Sequence, residues 1–255
     1  FFRRTYLTEG LLALLVTGIK RLTAQGGDPV VQLQTTFGGG KTHSMLALYH
    51  LCGGKIKLSD FPSDERIAKQ LEVARIGDMD LPEANIAVLV GTALGPDHPR
   101  EYPDAIVHTL WSEMAYQVGG AQGYALVAQA DQAGVSPGSD TLSELFYKFG
   151  PCLVIVDELV AYARNLYGVE GLGRERLPGG TFESIMTFMQ ALAEAIRRTA
   201  ESMLLVSVPQ SDIIEHAGPH CQAHRIRLEA GHHHRELRVG IVRQTNRPAI
   251  AARVN

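Results

Sequence analysis

Gln34-Thr-Thr-Phe-Gly-Gly-Gly-Lys-Thr-His43 follows the apolar run Pro29-Val-Val-Gln-Leu33, and how it is read decides the rest of the chain. It closes on the Gly-Lys-Thr of a phosphate-binding loop, with Thr35 where the G-x-x-x-x-G-K-[ST] pattern has its first glycine. Val30 to Thr35 reads as a short strand and Thr42 to Leu51 as a helix stopped by Gly53-Gly54. Strand, glycine loop and helix are the setting in which backbone amides curl round an anion, with the positive end of the helix aimed at it. Gly38, Gly39 and Gly40 cover the tight part of the curve, so Thr35 replaces a glycine only at its entrance. Lys41 is expected to reach the β and γ oxygens of a nucleoside triphosphate, and Thr42 to place its hydroxyl on Mg²⁺. Phe37, Gly38, Gly39, Gly40, Lys41, Thr42 and His43 are the nucleotide-binding candidates. The plain alternative is a glycine-rich turn before an ordinary helix.

A second signal decides between them. Leu153-Val-Ile-Val-Asp157-Glu158 is a buried apolar strand that ends on two acids, where open α/β sheets bind their ligands. Asp157 suits Mg²⁺ through its water shell, and Glu158 is placed to polarise a water for in-line attack on a γ-phosphate. An acidic helix cap is the competing reading of the pair, and it weakens once the glycine loop is counted with it. Met203 to Pro209 reads as a further strand beside the phosphate loop, and Ser207 and Gln210 at its end are candidates to contact the γ-phosphate or orient the attacking water.

Between these segments the chain alternates helix and strand. Thr8 caps a helix running to about Gln25, Asn85 to Gly91 is a buried strand, and Thr109 to Val118 is a helix followed by a looser helical region to about Gly134. Asp64 to Ala74 reads as a helix, Thr141 to Phe149 as a short one, and Phe182 to Ala200 as the most regular of all. Residues 165 to 180 read as a surface loop rich in Gly and Arg. Buried strands alternating with helices imply a parallel sheet wrapped by helices.

The chain has 255 residues, 45% hydrophobic and 20% charged, values of a globular α/β domain and far from those of a disordered chain. It has no uninterrupted apolar window of membrane-spanning length and no secretory cleavage pattern in Leu11 to Leu22, so a cytoplasmic location without a membrane is expected. Cys52, Cys152 and Cys221 lack metal or disulfide spacing. The opening Phe-Phe-Arg-Arg, without methionine, reads as a piece of something longer. Net charge is −3, but unevenly spread: residues 1 to 215 hold 17 Lys and Arg against 25 Asp and Glu, whereas residues 216 to 255 hold seven Arg against two Glu and six of the ten His. Two segments are therefore expected, a core over 1–215 and a basic, poorly ordered tail over 216–255. His232, His233 and His234 diverge on any regular backbone and have no partner at ligand spacing, which argues against a metal site.

Gly38-Gly-Gly-Lys-Thr-His43, Val156-Asp-Glu158 followed by Leu159-Val-Ala-Tyr-Ala163, and the opening Phe1-Phe-Arg-Arg-Thr-Tyr-Leu-Thr-Glu-Gly10 together resemble the ATPase core of a family of large bacterial AAA+-like proteins. That family is classed as a domain of unknown function and is found in phage-defence islands of the BREX type. The resemblance covers about residues 1 to 215. It implies a three-layer P-loop NTPase fold of AAA+-like type, ATP with Mg²⁺ as cofactors, and roles for Lys41, Thr42, Asp157 and Glu158 like those above. It also implies a longer parent protein. A homo-oligomer, and DNA or defence-system proteins engaged through regions beyond this chain, are the partners expected besides ATP. Arg164, Arg197 and Arg198 are candidates for an arginine finger, set against the simpler reading of solvated charges at helix ends. The function expected is ATP hydrolysis driving remodelling of DNA or a protein assembly; a small-molecule kinase and a nucleotide-binding scaffold without turnover are the alternatives.

Overall fold

The computed structural model describes residues 1–35, 40–54, 57, 69, 81–167, 177–209, 225–230 and 237–242. The chain divides into two units, Phe1–Gln210 and Ser211–Asn255. The first is an α/β unit around a four-stranded parallel sheet. Its strands are β1 (Val30–Thr35), β2 (Asn85–Val90), β5 (Cys152–Asp157) and β6 (Ser202–Pro209), in the spatial order β1-β6-β5-β2. The strand that follows the last helix is thus inserted between the glycine-loop strand and the acidic one. A short antiparallel pair, β3 (Arg100–Tyr102) and β4 (Ala105–Val107), stands apart from the sheet.

Helices cover the sheet. They are α1 (Glu9–Leu22), α2 (Lys41–Cys52), α3 (Leu110–Ala133), α4 (Ser139–Phe149), α5 (Leu159–Leu166) and α6 (Phe182–Arg198). Leu11, Leu15, Ile19 and Leu22 of α1 and Met45, Leu48 and Leu51 of α2 pack with Leu153, Ile155, Met203 and Leu205 on one face of the sheet. Because side chains alternate along a strand, Val154, Val156, Leu204 and Val206 belong to the opposite face, and all four are buried. From Cys152 to Val156 no residue of β5 is more than 2% exposed, so the strand that delivers Asp157 is held from both sides.

Thr8 caps α1, its hydroxyl oxygen accepting from Leu11 N at 3.2 Å. The helix ends at Leu22 rather than near Gln25, because Ala24, Gly26 and Gly27 turn the chain with positive φ. A Cβ on Gly27 would lie 2.6 Å from the Thr17 carbonyl oxygen, so that turn needs glycine. Arg21 then ties α1 to the far end of the fold: its guanidinium donates to the carbonyls of Ile196 at 2.7 Å, Ser202 at 2.8 Å, and Thr199. These carbonyls close α6 and open β6, so one side chain fixes where β6 begins.

The helical region after Thr109 is two arms, not one rod. Gly120 has φ 57 and ψ −148, outside helical geometry. Thr109 Oγ1 donates to Asp131 Oδ1 at 2.7 Å across 22 residues, which an unbroken helix would place about 33 Å apart. Gly123 lets the arms meet, since a Cβ there would lie 2.1 Å from the Ala115 carbonyl oxygen. Gln117, on the first arm, donates to Val88 O at 3.1 Å and accepts from Val88 N at 2.7 Å, so an amide side chain takes the place of a neighbouring strand at the sheet edge.

The β3–β4 pair has no counterpart in the sequence reading, because three-residue strands are too short to show alternation. The helix expected over Asp64 to Ala74 lies outside the described residues apart from Lys69. In the second unit, β7 (Arg225–Ala230) and β8 (Leu237–Val242) form an antiparallel pair. His232, His233 and His234 lie outside the described residues. Among the described residues, no helix is long and apolar enough to cross a membrane.

Candidate functional site at the carboxyl edge of the sheet

The parallel sheet carries the ends of β1, β5 and β6 to one edge. There β1 leads into the glycine loop, β5 ends on Asp157, and Ser207 lies near the end of β6. Gly40, at φ +78, caps α2, a left-handed conformation that glycine adopts at little cost. Its carbonyl accepts from Ser44 N at 2.9 Å and Ser44 Oγ at 3.0 Å, so α2 starts firmly at the loop. Lys41 and Thr42 are the first two residues of α2, Lys41 half-buried and Thr42 exposed.

Two segments far apart in the chain meet here. Thr42 Oγ1 donates to Asp157 Oδ2 at 3.3 Å across 115 residues. The other carboxylate oxygen, Oδ1, accepts from Glu158 N at 3.0 Å and from the Ser207 hydroxyl. Glu158 N also lies 3.2 Å from Ser207 Oγ, with Ser207 itself only 2% exposed. Asp157 is thus anchored on one oxygen and presents the other towards Thr42. A buried hydroxyl and a main-chain amide fix a carboxylate more tightly than solvent-exposed side chains do.

Glu158 caps α5 in the left-handed region, φ 53 and ψ 35, and its side chain is exposed. A non-glycine residue in that region is uncommon and is retained where surrounding structure forces it. Gly91 supplies part of that force. It follows β2, its N–H donates to Asp157 O at 2.8 Å, and a Cβ on it would lie 2.0 Å from the Glu158 carbonyl oxygen. Only glycine at 91 lets the Glu158 peptide take this path. The sequence marked Gly91 merely as the end of a strand; its role depends on β2 lying beside β5.

Of the residues singled out from sequence, Gly40, Lys41, Thr42, Asp157, Glu158 and Ser207 gather at this edge. Phe37, Gly38, Gly39 and Gln210 lie outside the described residues. His43 stacks on Phe1, ring centroids 5.0 Å apart at 27°. Ser207 engages Asp157 and Glu158 N, which makes it a positioning residue for the acids. Arg198, at the end of α6, is paired with Asp140 at 2.6 Å and with Glu194 at 2.5 Å. Among the described residues no three His, Cys, Asp or Glu side chains group as metal ligands.

The chain is a member of a family of undetermined function: the family described as DUF499 N-terminal domain matches residues 1–224. Neither the curated proteins nor the solved structures contain a match to the chain.

Proposed function

We infer that the chain binds ATP at the glycine loop and hydrolyses it with Mg²⁺, as an AAA+-like P-loop ATPase. The observation that carries this reading is the approach of Thr42 Oγ1 to Asp157 Oδ2 at 3.3 Å. Neighbouring oxygens of an octahedral Mg²⁺ with bonds near 2.1 Å are about 3 Å apart, so the hydroxyl and carboxylate are spaced to share one magnesium shell, directly or through its waters. Both donors are oxygens, as magnesium prefers. When bound, the ion would neutralise charge on the β and γ phosphoryl oxygens.

The chain's own groups supply the remaining chemistry. Amides at the start of α2 and the Lys41 ammonium bind phosphate oxygens. Ser207 and Glu158 N hold Asp157 in register. Glu158, exposed and directly after Asp157, accepts a proton from water as the water attacks the γ-phosphorus in line with the departing diphosphate oxygen. The exposed base favours water as the attacking group over an alcohol in a closed acceptor pocket. The family resemblance extends the reading to work on DNA or a protein assembly in phage defence, with self-association. Lys41→Ala tests the reading: triphosphate binding is expected to disappear, and unchanged affinity would refute it.

A further inference from the structure

Beside the glycine loop, His43 carries a ring that the proposed hydrolysis leaves without a task. It is the third residue of α2, directly after Thr42, and it is exposed. The first hydrogen bond of the helix runs from Ser44 N to Gly40 O, so the His43 N–H has no carbonyl within the helix to meet. Its main chain therefore belongs with the amides at the helix start, and its side chain is left for other work.

That side chain ends a run of rings along the outer face of α2. The Phe1 centroid lies 5.0 Å from that of His43, with 27° between the planes, and 4.8 Å from that of His50, at 38°. Seven residues of helix separate the two histidines, a rise of about 10.5 Å. A ring this close to both stands between them, with both of its faces covered. Tyr49 extends the run, edge-on to His50 at 5.5 Å. Because Phe1 lies on the His50 side of His43, the other face of the His43 imidazole looks towards the start of α2, where Lys41 and Thr42 lie.

Holding the first residues against α2 does not require this stack. Phe2 and Leu7, 1% and 3% exposed, are buried with Met45, Leu48 and Leu51 of α2, whereas Phe1 is 43% exposed. What the stack does is fix the His43 ring in one orientation, which lowers the ordering cost of laying a further flat ring upon it.

We propose, resting on the reading that the loop binds a nucleoside triphosphate, that the base of the nucleotide stacks on the open face of His43. The His43 amide then meets a phosphate oxygen and the imidazole carries the heterocycle. Phe1 acts through His43 and is a positioning residue. Stacking of a base on a flat ring tolerates every base, so His43 separates nucleotides from bare polyphosphate rather than adenine from guanine.

The test is calorimetry on the 255-residue chain with two ligands in Mg²⁺ buffer, ATP and inorganic tripolyphosphate. His43→Ala is expected to weaken ATP about 5- to 150-fold, the span of one stacking contact, and to leave tripolyphosphate within about twofold. His43→Phe restores a ring and should recover most of the ATP affinity. Phe1→Leu keeps apolar bulk without a ring; it should give a smaller loss for ATP alone, and it carries the test if His43→Ala does not fold. Unchanged ATP affinity in the folded variant, or equal losses for the two ligands, overturns the stacking. A parent chain that binds neither ligand overturns the phosphate-loop reading on which it rests.

Discussion

The two halves of the site at the carboxyl edge of the sheet are built by different means. On the β5–α5 side, Asp157 leaves a strand no more than 2% exposed from Cys152 to Val156, and a buried serine and a main-chain amide hold its carboxylate. On the β1–α2 side, Thr42 and His43 are exposed, and what is fixed is backbone: Gly40 at positive φ and the start of a helix. One half is preorganised by packing, the other by main-chain geometry. On the proposed function, this division would let the site hold an acid still while main-chain amides meet an anion. Substitutions on the two sides should therefore fail differently.

The largest separation is expected from Lys41→Ala. Loss of its charge should weaken ATP at least about hundredfold in calorimetry, with the thermal midpoint of the free chain nearly unchanged, because a half-buried residue at a helix start contributes little packing. Gly91→Ala should do the opposite. A Cβ 2.0 Å from the Glu158 carbonyl forces the acid half apart, and a destabilisation of about 1–3 kcal/mol is expected. Gly10→Ala is the control, since nothing lies within 4 Å of its added Cβ; it should leave the midpoint unchanged or raise it. If both glycine variants melt alike, the close approach at Gly91 is not what shapes Glu158.

A smaller effect sharpens how the halves communicate. In a double-mutant cycle on Mg²⁺-ATP affinity, Thr42→Ala and Asp157→Asn should couple by roughly 0.5–3 kcal/mol, as neighbours sharing a partner do. Strict additivity would mean that the 3.3 Å contact does not report a shared ion. Least of all should change at the core cysteines. Burial pushes the thiols of Cys52 and Cys152 up to about 12, so both stay protonated and unreactive in the folded chain at pH 8. Mass spectrometry after brief alkylation should find these two unmodified until denaturant is added; ready labelling of Cys152 would show that β5 is not the packed strand described.

How much of this was legible beforehand follows from range. Leu153 to Val156 announces a buried strand by composition, and the acids after it announce an edge, because both signals are local. Thr8 as a cap and Val30 to Thr35 as a strand are local too, and the structure has both. What depended on which strand lies beside which stayed hidden. Gly91 matters only because β2 neighbours β5, and Gln117 only because β2 is an edge strand. The sequence reading ended a helix at Val118, close to the break at Gly120, but the fold-back there depends on the contact of Thr109 with Asp131 across it. Ser207 was read as a contact to phosphate or water from its place at a strand end, but its bond to Asp157 required the order β1-β6-β5-β2.

On the proposed function, Glu158 is the base of an ATP hydrolysis built on this edge. Its most direct test is Glu158→Gln, followed through ATP affinity and phosphate release in the same preparation. Affinity within about twofold of the parent and turnover lower by about 10²–10⁴-fold are expected. Turnover equal to the parent's at equal affinity would contradict it.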